Sequence, residues 1–94
     1  MPEVMLCVTF PDPDGRRFDF LAIKSLSVVP RIGERIAIGQ TSAHVLEVRD
    51  VTHHLDGGRA VLTCTPLTAV DSNQKRQDML EMLAAAGFNE ITAE

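Results

Sequence analysis

The stretch 30–64 constrains the fold of this chain more than any other. It contains a Pro-Arg-Ile-Gly-Glu segment, a short apolar run at 35–38, a longer run that ends in paired histidines, an Asp-Gly-Gly segment and a further apolar run. Alternation of apolar and polar residues with a period of two is typical of strands, and Gly-rich segments between such runs are typical of turns. The stretch therefore predicts consecutive β-strands joined by short connections.

The longer strand in this stretch has an irregularity in its alternation. Val48 lies on one side of the strand, and Val51 and His53 return to that side only if Arg49 or Asp50 is an extra residue. An inserted residue of this kind is a β-bulge, and bulges increase the local twist that a small sheet needs in order to curl. The sequence therefore predicts a bulge at these two positions.

Two further strands and several turns are readable from the same patterns. Apolar residues alternate over 4–10 and again over 18–23, and the residues between these runs are dense in Pro, Asp and Gly, which predicts a hairpin loop at 11–15. Residues 39–42 predict a tight loop. The Asp-Gly-Gly segment at 56–58 predicts a hairpin with a primed turn, because Asp-Gly and Gly-Gly suit that turn.

A helix is predicted over residues 74–86, where nearly all residues are good helix formers. Asp71, with a glutamine three residues later, resembles a capping box and marks its start. Gly87 is well placed as the first residue after the cap, and Phe88 can fold back on Leu83, the contact that accompanies a Schellman ending. The residues after Phe88 form either a short edge strand or a frayed end.

These elements predict one mainly β domain with a C-terminal helix. Residues 1–66 are expected to form a five- or six-stranded SH3-like small barrel or a strongly curled antiparallel sheet, and residues 67–94 a linker and an amphipathic helix of the same domain. The chain has four Phe and no Trp or Tyr, so aliphatic side chains must fill the core. Because Met5 and Cys7 are apolar like their neighbours, both faces of the first strand are expected to be partly covered.

Part of the chain resembles a group of small proteins. The segment Pro-Arg-Ile-Gly-Glu at 30–34, the strand that follows it at 35–38, and the pattern Val-x-x-Val-x-His at 48–53 resemble those of small bacterial and phage-associated proteins of unassigned function. The resemblance implies an SH3-like small β-barrel. It implies no catalytic residue, cofactor or ligand set for this chain.

Charge and composition disfavour several classes of partner. The net charge is −4, and most of the acidity lies in residues 67–94, with two basic and five acidic side chains. Nucleic-acid-binding domains are usually basic, because their cations neutralise phosphates. No apolar run approaches the roughly 20 residues that span a bilayer, and the N-terminal residues lack the charged region of a signal peptide. We therefore expect a cytoplasmic protein without a membrane partner.

The residues that could support chemistry do not form a convincing site. His44, His53 and His54 suggest a metal site, but neighbouring residues of a strand point to opposite faces, and no short Cys or His spacing typical of zinc is present. Cys7 and Cys64 lie in the middle of apolar strands, where a thiol is inert. We therefore expect no metal, no cofactor and no catalytic residue, and a small hydrolase or metal-binding protein is the least favoured alternative.

The sequence thus predicts a non-catalytic protein-interaction module that self-associates, as a homodimer for example, or docks on a larger assembly. The helix stripe, which consists of Met79, Leu80, Met82, Leu83 and Phe88, is read either as core or as a partner surface. The candidate interaction residues are Arg31, Glu34 and His53 on a charged rim, together with Met79, Leu80, Leu83 and Phe88 of the helix stripe.

The main alternative is a nucleic-acid-binding small barrel. In that hypothesis one or two phenylalanines stack on bases and nearby arginines contact phosphates. The competing interpretation of the same phenylalanines is core packing. The residues concerned are Phe18 and Phe20 with Arg16, Arg17, Arg31 and Arg35.

Overall fold

The computed structural model of the chain describes residues 3–11, 13–38 and 44–91. These residues form six strands and one helix, so the mainly β fold with a C-terminal helix is confirmed. The loop predicted at 39–42 lies outside the described residues, as does one residue of the loop at 11–15. The elements are β1 (Glu3–Pro11), β2 (Arg17–Ser25), β3 (Arg35–Ile38), β4 (His44–Thr52), β5 (Ala60–Pro66), α1 (Asn73–Ala85) and β6 (Asn89–Glu90).

The six strands form one sheet in the order β3-β4-β5-β1-β2-β6. Strand β1 pairs antiparallel with β2 and parallel with β5, whereas the remaining pairs are antiparallel. The sheet of the described residues is therefore mixed and open, so neither the closed barrel nor the purely antiparallel sheet that the sequence predicted is observed. The sequence pattern could not predict the parallel pair, because alternation tells which face a residue occupies and not which strand lies next to it.

The open sheet is nevertheless strongly curled. Lys24 near the end of β2 and Ile36 of β3 line the same cleft, although three strands separate β2 from β3 in the sheet. The pairing of β4 with β5 shifts register between Val48 and Asp50, which confirms the predicted bulge at Arg49. A bulge bends and twists its strand, so it contributes to this curl.

The inner face of the curled sheet holds the core, and α1 completes it. Met79 and Leu83 of α1 and Phe88 beyond it are buried in one cluster with the inner side chains of the sheet, and Leu80 is half-buried against that cluster. The helix stripe is therefore core, and the prediction that it offers a partner surface is wrong. The physical reason is that the inner face needs an apolar cover, which the second half of α1 supplies. The inner side chains of the sheet are Val4, Leu6, Val8, Phe10, Phe20, Ala22, Ile38, Leu46, Val48, Ala60, Leu62 and Cys64.

The start of α1 differs by one residue from the prediction. Ser72 is the N-cap, and its hydroxyl accepts a hydrogen bond from the backbone N–H of Lys75 at 3.2 Å. A side-chain oxygen at this position satisfies one of the free amides of the first turn. Asp71 instead places its carboxylate 3.0 Å from the Lys75 ammonium, and this pair lowers the pKa of Asp71 through the hydrogen bond and the positive charge of Lys75.

The end of α1 is the Schellman motif that the sequence predicted. Gly87 has a φ of 89°, a left-handed conformation that favours glycine. The N–H of Phe88 donates to the Leu83 carbonyl at 2.9 Å, and the N–H of Gly87 donates to the Ala84 carbonyl at 3.1 Å. The tight reversal brings the chain back to the sheet, where β6 pairs with β2. The predicted alternative of a short edge strand after Phe88 is thus the one observed.

The connection from β4 to β5 is not the primed turn that the sequence predicted. It runs over residues 53–59 and contains a turn in which the Gly57 N–H donates to the His54 carbonyl at 3.2 Å. A primed turn needs a positive φ at one or both central residues. Here the central residues are Leu55 and Asp56, which lack it, and only Gly57 at the last position has a positive φ, of 82°.

The core role of α1 can be tested by truncating two leucines of the same helix. Leu83 is 0% exposed and Leu80 is half-buried. We expect Leu83→Ala to lower the free energy of unfolding by about 2 to 5 kcal/mol, and Leu80→Ala, a matched change in helix propensity, by about 1 kcal/mol. Urea unfolding followed by circular dichroism measures both values. An equal, small loss in the two variants would contradict the packing described.

Candidate interaction surface

The outer face of the sheet, opposite the core, carries an apolar patch on its three adjacent strands β5, β1 and β2. In the strand registers, Met5 lies beside Ile23 of β2 and Val61 of β5, and Cys7 lies beside the next outer residues of the same two strands. These side chains therefore form two neighbouring rows. We call this surface the outer patch, and it consists of Met5, Cys7, Leu21, Ile23, Val61 and Thr63.

Solvent reaches every residue of the outer patch. Ile23 is 46% exposed, and the other five residues are half-buried. They are half-buried because side chains on neighbouring strands contact one another. The buried apolar residues of α1 belong to the cluster on the opposite, inner face. In the part of the chain that the structure describes, the sheet is therefore covered on one face and open on the other.

The uninterrupted apolar run in β1 is unusual for a strand with one exposed face. Antiparallel strands with one wet face alternate apolar and polar residues, whereas strands that are buried on both faces are apolar almost without interruption. Residues 4–8 of β1 are Val-Met-Leu-Cys-Val, with no polar residue among them. By its sequence, β1 is suited to burial on both sides, although only its inner side is buried within the described chain.

The charges around the outer patch are neutralised within the chain. At one end of β1, the Arg59 guanidinium lies 3.1 Å from the Glu3 carboxylate. At the other end, the Arg17 guanidinium lies 3.6 Å from the Asp19 carboxylate. Exposed pairs of this kind add little stability. They do leave the border of the patch without a dominant charge that would favour a strongly acidic or basic partner.

The charged rim predicted from the sequence is only partly assembled. Arg31 and His53 line the same shallow cleft, of ≈ 440 Å³. Glu34 accepts a hydrogen bond from the Arg31 backbone N–H, and its carboxylate lies 3.8 Å from the Arg31 guanidinium. Gly33 takes a φ of 90° in the turn between them. Glu34 therefore fixes its own loop rather than a ligand, and this rim is a weaker candidate surface than the outer patch.

The aromatic residues of the nucleic-acid hypothesis lie mainly in the core. Phe20 is 6% exposed, Phe18 is half-buried, and the two rings stack with Phe10 at centroid distances of 6.1 Å and 5.5 Å. Their core interpretation is the observed one, and Phe20 offers no free face to a base. Two of the four arginines, Arg17 and Arg31, are paired with carboxylates. Nucleic-acid binding stays a prediction, but Phe20 is too deeply buried to stack on a base.

The two thiols and the histidine that could form a catalytic pair do not meet in one site. Burial raises the pKa of the Cys64 thiol to about 11, with a smaller contribution from Cys7, and burial followed by the negative charge of Asp19 raises the pKa of Cys7. Protonated thiols are poor nucleophiles. His53 is exposed beyond the end of β4. Among the described residues, no group of three His, Cys, Asp or Glu side chains could hold a metal ion.

No protein-family model, curated protein or solved structure matches this chain. The resemblance to small bacterial and phage-associated proteins therefore stays a prediction, although the closed barrel that it implies is not observed in the described residues. No helix in the described residues combines the length and the apolar character that crossing a membrane requires. The geometry of the outer patch and of the clefts is consequently the basis on which function is inferred.

Most of the outer patch was not among the residues predicted from the sequence to bind a partner. Met5 and Cys7 are apolar on the side of β1 opposite Val4 and Leu6, but the sequence prediction did not place Leu21, Ile23 or Val61 beside them. The signal that could have found the patch is the absence of alternation in three separate strands. Each of them is apolar on both sides over several residues, a pattern of strands that are buried on both faces.

The buried Cys64 thiol predicts a loss of stability at alkaline pH. Its pKa of about 11 in the folded chain lies above the 9.0 of an unperturbed thiol. Between these two values the unfolded chain has lost the proton and the folded chain keeps it, so the free energy of unfolding falls as pH rises, by about 2 kcal/mol. Urea unfolding at pH 8 and pH 11 should show a smaller fall for Cys64→Ala than for the natural chain. Equal falls would contradict this account.

Proposed function

We propose that this chain is a non-catalytic protein-interaction module that self-associates through the outer patch. The observation that carries the proposal is that β1 is apolar on both faces, whereas the described chain covers only its inner face. Burial of such a face removes apolar area from water, and this is the main driving force of protein association. A surface of this kind is typical of proteins that bind another protein.

A second copy of the chain fits this face better than a strongly charged partner does. The outer patch has no charged side chain, and the pairs Glu3 with Arg59 and Arg17 with Asp19 neutralise its ends, so two copies would not bring dominant like charges together. Because the sheet curls around its inner face, its outer face is convex, and two copies would meet along the central strands β5, β1 and β2, where packed sheets lie about 10 Å apart. In the proposed pair each helix lies on the far side of its own sheet.

The size of the outer patch agrees with a weak dimer. Three strands spaced about 4.8 Å apart and about 20 Å long present roughly 300 Å². Two copies would bury about 600 Å² in total, below the range for stable interfaces. This area favours an equilibrium between monomer and dimer that depends on concentration, rather than an obligate dimer.

The same face would serve if the module docks on a larger assembly, with a partner sheet or helix in place of the second copy. A cytoplasmic setting belongs to the same proposal. It is supported by two cysteines that are both free, since reducing compartments keep thiols unpaired.

The proposal can be tested with two isoleucines that differ in position. Ile23 is 46% exposed within the outer patch, and Ile32 is 64% exposed in the loop before β3. We expect the natural chain to dimerise with a Kd of about 1 to 100 µM in sedimentation velocity. Ile23→Lys should weaken dimerisation at least about tenfold, because it would bury a charge in the interface, while the matched Ile32→Lys should leave it unchanged.

The contradicting results of this test are specific. A natural chain that stays monomeric up to about 1 mM would remove self-association. Equal weakening by Ile23→Lys and Ile32→Lys would remove the outer patch as its surface. Circular dichroism of both variants confirms that each is folded, so that a change in mass reports association alone.

A further inference from the structure

A second feature of the fold is a cleft along the open seam of the sheet, which is independent of the outer patch. The cleft has a volume of ≈ 210 Å³ and lies where the end of β2 approaches β3 without pairing with it. We call it the seam cleft. The residues that matter for its chemistry are Leu6, Ile36, Ile38, Leu46, Phe88 and Lys24.

The interior of the seam cleft is apolar. Leu6, Ile38, Leu46 and Phe88 are buried side chains of the core cluster, and Ile36 is half-buried against the same cluster. The cleft is thus a surface indentation at the seam, and the apolar core forms its floor. Its volume is too small for an inserted strand, but it exceeds the roughly 150 Å³ of an apolar cavity that holds a benzene molecule.

Among the described residues that line the seam cleft, Lys24 alone carries a charge. Its Nζ donates a hydrogen bond to the Ala86 carbonyl at the end of α1, a favourable place for a cation next to the negative end of a helix dipole. An ammonium has three N–H donors, and this contact uses one of them. Lys24 is half-buried, so its remaining donors lie where apolar lining and solvent meet.

We propose that the seam cleft binds an aliphatic monocarboxylate of about six carbons. Scaling from the benzene cavity, ≈ 210 Å³ accommodates about eight non-hydrogen atoms, the number in hexanoate. The alkyl chain lies against Ile36, Ile38 and Phe88, and the carboxylate accepts a charge-assisted hydrogen bond from Lys24 Nζ. The pairing of one cation with an apolar interior selects this ligand class over neutral or cationic molecules of the same length.

Two ligands of equal length and opposite charge test the proposal. Hexanoate and hexylammonium are titrated separately into the full chain labelled with ¹⁵N, and amide shifts are followed by NMR. We expect hexanoate to saturate with a Kd of about 1 mM and to move the amides around Ile36, Ile38 and Phe88. Hexylammonium should bind at least about tenfold more weakly, because its charge faces the Lys24 ammonium.

The two lysines of the chain provide a matched pair of variants, since Lys24 and Lys75 are its only lysines. Lys24→Met should weaken hexanoate binding about tenfold and abolish the preference for hexanoate over hexylammonium. Lys75→Met, which removes a helix lysine outside the seam cleft, should change neither.

Three results would overturn the proposal. In the first, the amide shifts caused by hexanoate are scattered over the surface instead of lying around the seam cleft. In the second, the natural chain binds hexanoate and hexylammonium with equal affinity, and in the third, a folded Lys24→Met variant binds hexanoate as tightly as the natural chain does. If Lys24→Met does not fold, the comparison of hexanoate with hexylammonium on the natural chain decides alone. These outcomes can be separated from dimerisation. The Ile23→Lys variant, in which we expect dimerisation to be weakened, can be titrated with the same two ligands.

Discussion

The parallel pairing of β1 with β5 is the constraint on which the rest of this fold depends. It places β1 in the interior of the sheet, with β5, β4 and β3 on one side and β2 and β6 on the other. Along the chain, the three strands β2, β3 and β4 form between β1 and β5, and the chain then returns to pair with β1. The bulge at Arg49 helps to curl the sheet that results. The helix then closes its inner face, and the Schellman ending at Gly87 returns the chain to the sheet as β6.

In this arrangement one face of β1 is buried and the other is exposed to solvent. Its inner residues meet the aliphatic core and the apolar half of α1, whereas its outer residues, Met5 and Cys7, face solvent together with their neighbours in β2 and β5. A sequence that alternated apolar and polar residues would have suited a sheet with one wet face. In the proposal made above, a second surface covers these apolar outer residues, and the neutral border of the outer patch is compatible with another copy of the chain.

Local features of the fold could be predicted from the sequence, and long-range ones could not. The bulge at Arg49 follows from a break in a period of two, and the end of α1 follows from glycine and phenylalanine at fixed offsets. By contrast, Val4 pairs with Ala60 across most of the chain, and no local pattern encodes that choice of neighbour. For the same reason the sequence left open whether Leu83 packs on its own sheet. The charged rim around Arg31 was overestimated, because sequence cannot show that Glu34 satisfies its own loop.

The modification rate of Cys7 reports whether the outer patch is covered, because its thiol lies within the patch while Cys64 is buried in the core. The chain is treated with N-ethylmaleimide at several protein concentrations, and each cysteine is followed by mass spectrometry. If two copies associate through the outer patch, Cys7 reacts more slowly as protein concentration rises, Ile23→Lys removes this dependence, and Cys64 stays slow throughout. A Cys7 rate that is the same at all concentrations would contradict self-association through the outer face.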